Sequence, residues 1–207
     1  DARDSTDFEI AAFVSDPDYC EADELLGIPW ITYDMMYELY PAEKYDMLAI
    51  FNGYRSMRAR DKIFDRARNS GYKLRNYISR RADFAEDVEL GENNIIMGNA
   101  HIGFGGVMGD NNLIRQGVYL GHQFNLGNNN IITAGCNIGG HSKFENNSYI
   151  GLGVTIIDHI KIAEETLIGA GSVVIRDTEP YSKNAGSPSR IVGYHREEGP
   201  GMKIRDE

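Results

Sequence analysis

From Ile78 to Val174 every sixth residue is apolar. The series runs Ile78, Phe84, Leu90, Ile96, Ile102, Met108, Ile114, Leu120, Leu126, Ile132, Ile138, Phe144, Ile150, Ile156, Ile162, Ile168, Val174, seventeen positions with no slip of phase. A helix repeats every 3.6 residues and a half-buried strand every two, so neither accounts for a period of six. A six-residue period is the mark of a parallel β-helix, whose coils bury their apolar face only when neighbours stack on them. The residue after the apolar position is glycine at 91, 103, 109, 121, 127, 139, 151 and 169. Four residues after it, small or β-branched side chains recur, among them Ala100, Val118, Cys136, Ser142, Val154 and Ser172. Large aliphatics fill a prism and small groups fit its corners. Asparagine runs such as Asn93-Asn94, Asn111-Asn112 and Asn128-Asn129-Asn130 supply corner residues that tolerate unusual backbone angles. Three hexads make a coil, so equivalent positions stack every eighteen residues, about 4.8 Å apart. The repeats therefore make between five and six coils with no inserted loop.

The flanks read differently. Residues 1–76 form a small α/β unit, a reduced Rossmann-like domain with a parallel sheet. Strands are expected at 8–14 and 45–51, separated by the extended stretch 27–31 and a short helix capped by Thr32 and closed by Pro41. Asn52-Gly53 turns into a basic amphipathic helix, 56–69, with Met57, Ile63 and Phe64 inward and Gly71 as its stop. Its Arg55, Arg58, Arg60 and Lys62 read as a solvated face or a lure for a phosphorylated ligand. The strand–helix alternation points to a parallel sheet. The glycine-rich first turn of a nucleotide-binding unit has no counterpart here. Residues 77–176 are the β-helix domain and 177–207 a C-terminal segment and charged tail.

A net charge of −10 argues against nucleic acid or an anionic membrane as partner. No apolar run reaches the ~20 residues a spanning helix needs. Cys20 and Cys136 have no metal-type spacing, and two separate thiols suit a reducing, cytoplasmic setting. Cys136 occupies a small-residue corner and reads as packing.

The five histidines are the groups with chemistry to offer. His122 lies two residues past its apolar position, and His141 and His159 lie three past theirs, so all three line one edge of the prism on successive coils. Three readings stand: a catalytic base, a metal site, or solvated turn residues. The last is the reading for His101, His159 and His195.

The hexads, Gly121-His122, Ile168-Gly169-Ala170-Gly171-Ser172-Val173-Val174 and Gly186-Ser187-Pro188-Ser189-Arg190 resemble the left-handed β-helix (hexapeptide-repeat) acyltransferases. The similarity is to the branch of sialic acid O-acetyltransferases and sugar-nucleotide amine N-acetyltransferases, which also carry an N-terminal α/β domain. The resemblance implies a homotrimer that binds acetyl-CoA between neighbouring helices and transfers acetyl to an amino or hydroxyl group of a bacterial, nucleotide-linked sugar, with no metal. It makes His122 the general base. Gln123 stands where the family commonly has an acid, and as a neutral amide it orients the ring. Gly140, His141, Leu152 and Ala170 match positions bordering the cofactor. A backbone amide near Gly140 is the expected oxyanion donor. Ile131 and Arg115 stand where some members have a cofactor-contacting histidine and an asparagine. Ser15, Asp16, Asn52 and Gly53 match the places that hold the sugar nucleotide, at strand C-terminal ends. The alternatives are a non-catalytic trimeric scaffold binding sugar nucleotides, and a zinc enzyme like the β-helical carbonic anhydrases. The paired histidines five apart of the latter are absent.

Overall fold

The computed structural model describes residues 8–50, 56–195 and 199–200. Seventeen two-residue strands, β4 (Tyr77–Ile78) to β20 (Val173–Val174), occupy the seventeen hexads in register. From β4 to β17 each pairs in parallel with the strand eighteen residues on, as Ile114 with Ile132 and Leu120 with Ile138. The pairings sort into three sheets, the faces of a prism, in a pattern consistent with a left-handed β-helix. The second residue of each strand points inward. From Ile96 to Val174 all fourteen repeat residues are buried, and Ile114, Leu120, Ile132 and Ile138 are fully so. Each such side chain stabilises the prism by about 1.5–3 kcal/mol. Ile78, Phe84 and Leu90, in the first coil, are only partly covered.

Corner geometry explains the asparagines. Every sixth residue from Asn93 to Gly171 has positive φ, fourteen in all, so each corner passes through the left-handed region. Asparagine holds five of these positions and glycine five, the residues for which that conformation costs least. Gln123, His141, His159 and Glu165 hold the other four. Buried asparagines also bond up the coil: Asn93 Nδ2 donates to Asn111 Oδ1, and Asn111 Nδ2 to Asn129 Oδ1, both at 2.9 Å. These ladders satisfy amides that burial would otherwise penalise.

The first face differs from the other two in its outward residues. Tyr77, Ile95, Leu113, Ile131 and Tyr149 are apolar and buried, with Met57 seated on them. Met57 opens α2 (Met57–Arg68), which is capped by Ser56 Oγ accepting from the Ala59 N–H and buries Met57, Arg60, Phe64 and Ala67. Two of the basic residues that read as a solvated face or a lure for phosphate, Arg58 and Arg60, bind the β-helix instead. Arg58 makes two 2.8 Å bonds to the Glu165 carboxylate. Arg60, 3 % exposed, donates to the Asn111 carbonyl and Asn129 Oδ1. Arg68 reaches Glu92 and Asp110. Lys62 is exposed, and Arg55 lies outside the described residues.

The remainder of the N-terminal segment is more modest than the expected Rossmann-like unit. A three-stranded sheet is formed by β1 (Phe13–Ser15), β2 (Glu24–Leu25) and β3 (Ile28–Thr32), with β1 parallel and β2 antiparallel to β3. Only Phe13–Ser15 of the first expected strand is extended in a sheet. The second contributes one parallel bridge, Met47 to Leu74. Helix α1 (Tyr33–Leu39) starts after Thr32 as anticipated, but the Thr32 side chain makes no capping hydrogen bond. These are the only two α-helices among the described residues. At the other end, β21 (Ser182–Ala185) extends the first face and β22 (Arg190–Tyr194) folds back on it. Part of the expected tail is tied down, because the Met57 N–H donates to the Pro200 carbonyl at 2.9 Å.

Candidate active site on the histidine edge

The corner between the second and third faces carries two columns at eighteen-residue spacing: Phe104, His122, Gly140, Asp158, and beside it Gly105, Gln123, His141, His159. The second is a left-handed column, with φ of 67°, 53°, 57° and 63°. Three non-glycine, non-asparagine residues in succession in that conformation occur nowhere else among the described corners. Such strain gathers where side chains have work other than packing.

The rings form a continuous stack along this edge. Phe104 lies flat on His122, 5.3 Å between centroids and 12° between planes. His122 meets His141 edge to face at 5.0 Å and 87°. His141 stacks on His159 at 4.5 Å and 8°. Gly140 lets the His122 ring lean this way, since a Cβ there would meet Cε1 and Nε2 at 2.9 Å. The backbone locks the coils together beneath: the His141 N–H donates to the His122 carbonyl, and the His159 N–H to that of Gly140, both at 2.9 Å.

His122 is half-buried and Gln123 exposed. The imidazole Nδ1 faces Gln123 Oε1 at 3.2 Å. An amide oxygen can only accept, so this contact selects the Nδ1–H tautomer and leaves the lone pair on Nε2. That is the state a general base needs.

The structure brings together His122, Gln123, Gly140 and His141, keeps His159 on the same edge as the sequence places it, and adds Phe104 and Asp158. Their signal was available: both columns follow from counting eighteen. Leu152 and Ala170 stack on each other but lie on a different edge, between the first and second faces, and both are exposed. Within one chain the second face separates them from His122. Ser15 and Asp16 lie at the end of β1, where Ser15 Oγ accepts from Trp30 Nε1 at 2.9 Å and Asp16 pairs with Arg66 at 2.8 Å. The Arg66 guanidinium also lies 3.8 Å over the Tyr33 ring. Asn52 and Gly53 lie outside the described residues.

Several expectations are corrected. The Gly140 N–H is not a spare oxyanion donor, because it donates to Asp158 Oδ1 at 2.7 Å. Ile131, at the place where some family members have a cofactor-contacting histidine, is fully buried beneath Met57. His101 is a strand residue facing out from the second face, not a turn residue. Its Nδ1 lies 2.6 Å from Asp83 Oδ2, and its ring stacks on Tyr119 at 4.8 Å. His195 is buried, its N–H donating to the Tyr181 carbonyl. Cys136 is fully buried, and desolvation raises its thiol pKa, which suits packing rather than nucleophilic work. Among the described residues no group of histidine, cysteine and carboxylate side chains is arranged to hold a metal ion, and no helix is long and apolar enough to cross a membrane.

Comparison with known proteins gives no match to any family profile or to any curated protein sequence. Solved structures match over most of the chain. The acetyltransferase domain of PglB from Neisseria gonorrhoeae is 22 % identical with a TM-score of 0.78, covering 87 % of this chain and 86 % of that one. PerB from Caulobacter crescentus, in complex with CoA and GDP-perosamine, is 27 % identical at TM-score 0.68, covering 83 % and 82 %. A histidine variant of the GDP-perosamine N-acetyltransferase from the same organism, with the same two ligands, is 25 % identical at 0.75, covering 83 % and 81 %. The class that fold and repeat define is the hexapeptide-repeat, left-handed β-helix acyltransferases. The chain is similar to members that acetylate sugars.

Proposed function

We propose that this protein is an acetyl-CoA-dependent acetyltransferase acting on an amino or hydroxyl group of a bacterial, nucleotide-linked sugar, with His122 as general base. The observation that carries this reading is the ring of His122: half-exposed, stacked on Phe104, and turned by Gln123 so that Nε2 holds the lone pair. The likeness to sugar N-acetyltransferases solved with CoA and GDP-perosamine supports the class of both substrates.

In this mechanism Nε2 takes the proton of the acceptor amine or hydroxyl as its nitrogen or oxygen attacks the acetyl carbonyl of acetyl-CoA. The tetrahedral intermediate collapses and expels the CoA thiolate. No acyl-enzyme is required, in keeping with the burial of Cys136. A positioned base of this kind contributes about 10²–10⁴-fold in rate. Since Asp158 holds the Gly140 amide, the oxyanion donor is a different group.

Gly140 and His141 border the cofactor at the histidine edge, and Leu152 and Ala170 border it from the other edge. A homotrimer accounts for both sets, because a second copy can set its Leu152 edge across a groove from the His122 edge. Ser15, Asp16, Asn52 and Gly53 hold the sugar nucleotide in this reading. A catalytically silent sugar-nucleotide scaffold is the second reading, favoured by the neutral Gln123 beside the base.

Release of CoA from acetyl-CoA, measured against a panel of GDP- and UDP-linked amino-dideoxy sugars and sialic acid, tests the proposal. Turnover with one of them supports it. No turnover, together with no acetyl-CoA binding by calorimetry, establishes the scaffold.

A further inference from the structure

We propose that Phe104 is a positioning residue for the His122 base, a role that rests on the function proposed above. The neighbouring amide cannot hold the imidazole alone. Gln123 Oε1 contacts Nδ1 at 3.2 Å, the long end of the range for a neutral N–H···O bond. One such bond chooses a tautomer but leaves the ring plane free to swing about it. Flat contact fixes a plane, and the preceding coil supplies it: the Phe104 ring lies 12° from parallel with His122.

On the following coil Gly140 offers bare backbone, and a side chain there would collide with Nε2. His141 closes the slot edge-on. The base is thus gripped by three residues from adjacent coils rather than by a carboxylate next to it in sequence. Phe104 is 59 % exposed, an apolar ring left in water at a corner whose register partners His122, Gly140 and Asp158 are polar or absent side chains. Packing of the prism does not call for it. Misplacing a reacting group by about 1 Å costs on the order of 10²-fold, so a residue that only holds the ring can govern turnover.

The experiment compares Phe104→Ala and Phe104→Trp with the unaltered protein by steady-state kinetics and by NMR of the histidine rings. Removing an exposed ring leaves no cavity in the core, so Phe104→Ala should fold. The expected result is a fall in kcat of about three- to tenfold in Phe104→Ala, KM for both substrates little changed, and recovery in Phe104→Trp. The ring protons of His122 should lose the upfield shift conferred by the Phe104 face. Unchanged kcat, or a rise in KM at constant kcat, overturns the proposal; the latter makes Phe104 a substrate contact. If no acceptor supports turnover, the function reading fails by itself, and the NMR shift alone decides whether Phe104 holds the ring: a shift that moves on substitution upholds the contact, and one that does not overturns it.

Discussion

The His122 imidazole lies over the backbone of Gly140, one coil further on, so closely that a Cβ on Gly140 would come within 2.9 Å of Nε2. Gly140 does not have positive φ, so alanine there brings no backbone strain. Its methyl group would push the ring off the lone-pair direction instead. Gly140→Ala should lower kcat by about 10²-fold and leave the melting temperature within a few degrees of the parent, measured by steady-state kinetics and calorimetry.

Gln123 accepts from the imidazole but brings no charge. Gln123→Glu would place a carboxylate at Nδ1, which favours the imidazolium form. The acid limb of kcat/KM should therefore move to higher pH, by about one unit or less because the site is open to solvent. A pH–rate profile of both proteins reads this directly. A limb that moved to lower pH would contradict the contact.

Arg60 holds α2 to the first face through the Asn111 carbonyl and Asn129 Oδ1. Burial pushes its pKa down to about 10, so it is still charged at neutral pH. Truncation to alanine leaves a cavity and two buried acceptors with one donor fewer. Arg60→Ala should cost about 2–4 kcal/mol in urea denaturation. Arg60→Met, which keeps the apolar stem, should cost less.

The Cys136 thiol is raised above its ordinary 9.0 by desolvation. A folded-state pKa above the unfolded one means that the folded chain holds the proton longer. Its contribution to stability is then complete below about pH 9 and declines as pH rises beyond it. Denaturation at pH 8 and pH 10 should show a greater loss for the parent than for Cys136→Ala. At pH 8 a thiol reagent should modify the half-buried Cys20 readily and Cys136 only after unfolding.

The β-helix was legible because its rule is local and repeated: one apolar side chain in six is enough to fix face, corner and coil. The same arithmetic placed His122, His141 and His159 on one edge. A second apolar series went unread, Ile95, Leu113, Ile131, Tyr149 and Leu167, each just before a repeat position. That series marks the face that α2 covers, with Ile131 fully buried in it. The N-terminal segment was harder because its strands are short and irregular, and long-range contacts shape it. Ser15 faces Trp30 and Asp16 faces Arg66, partners fifteen and fifty residues away that no periodicity reveals. Gly140 was legible as a position but not as a contact. Only the packed structure shows that its amide belongs to Asp158 and its missing side chain to His122.

In the proposed reaction His122 takes the acceptor's proton. The most direct measurement is CoA release by His122→Ala, with an acceptor that the parent turns over, beside acetyl-CoA affinity by calorimetry. With His122 as the base, kcat should fall by about 10²–10⁴-fold while affinity for acetyl-CoA stays nearly unchanged. Full activity in His122→Ala would contradict it.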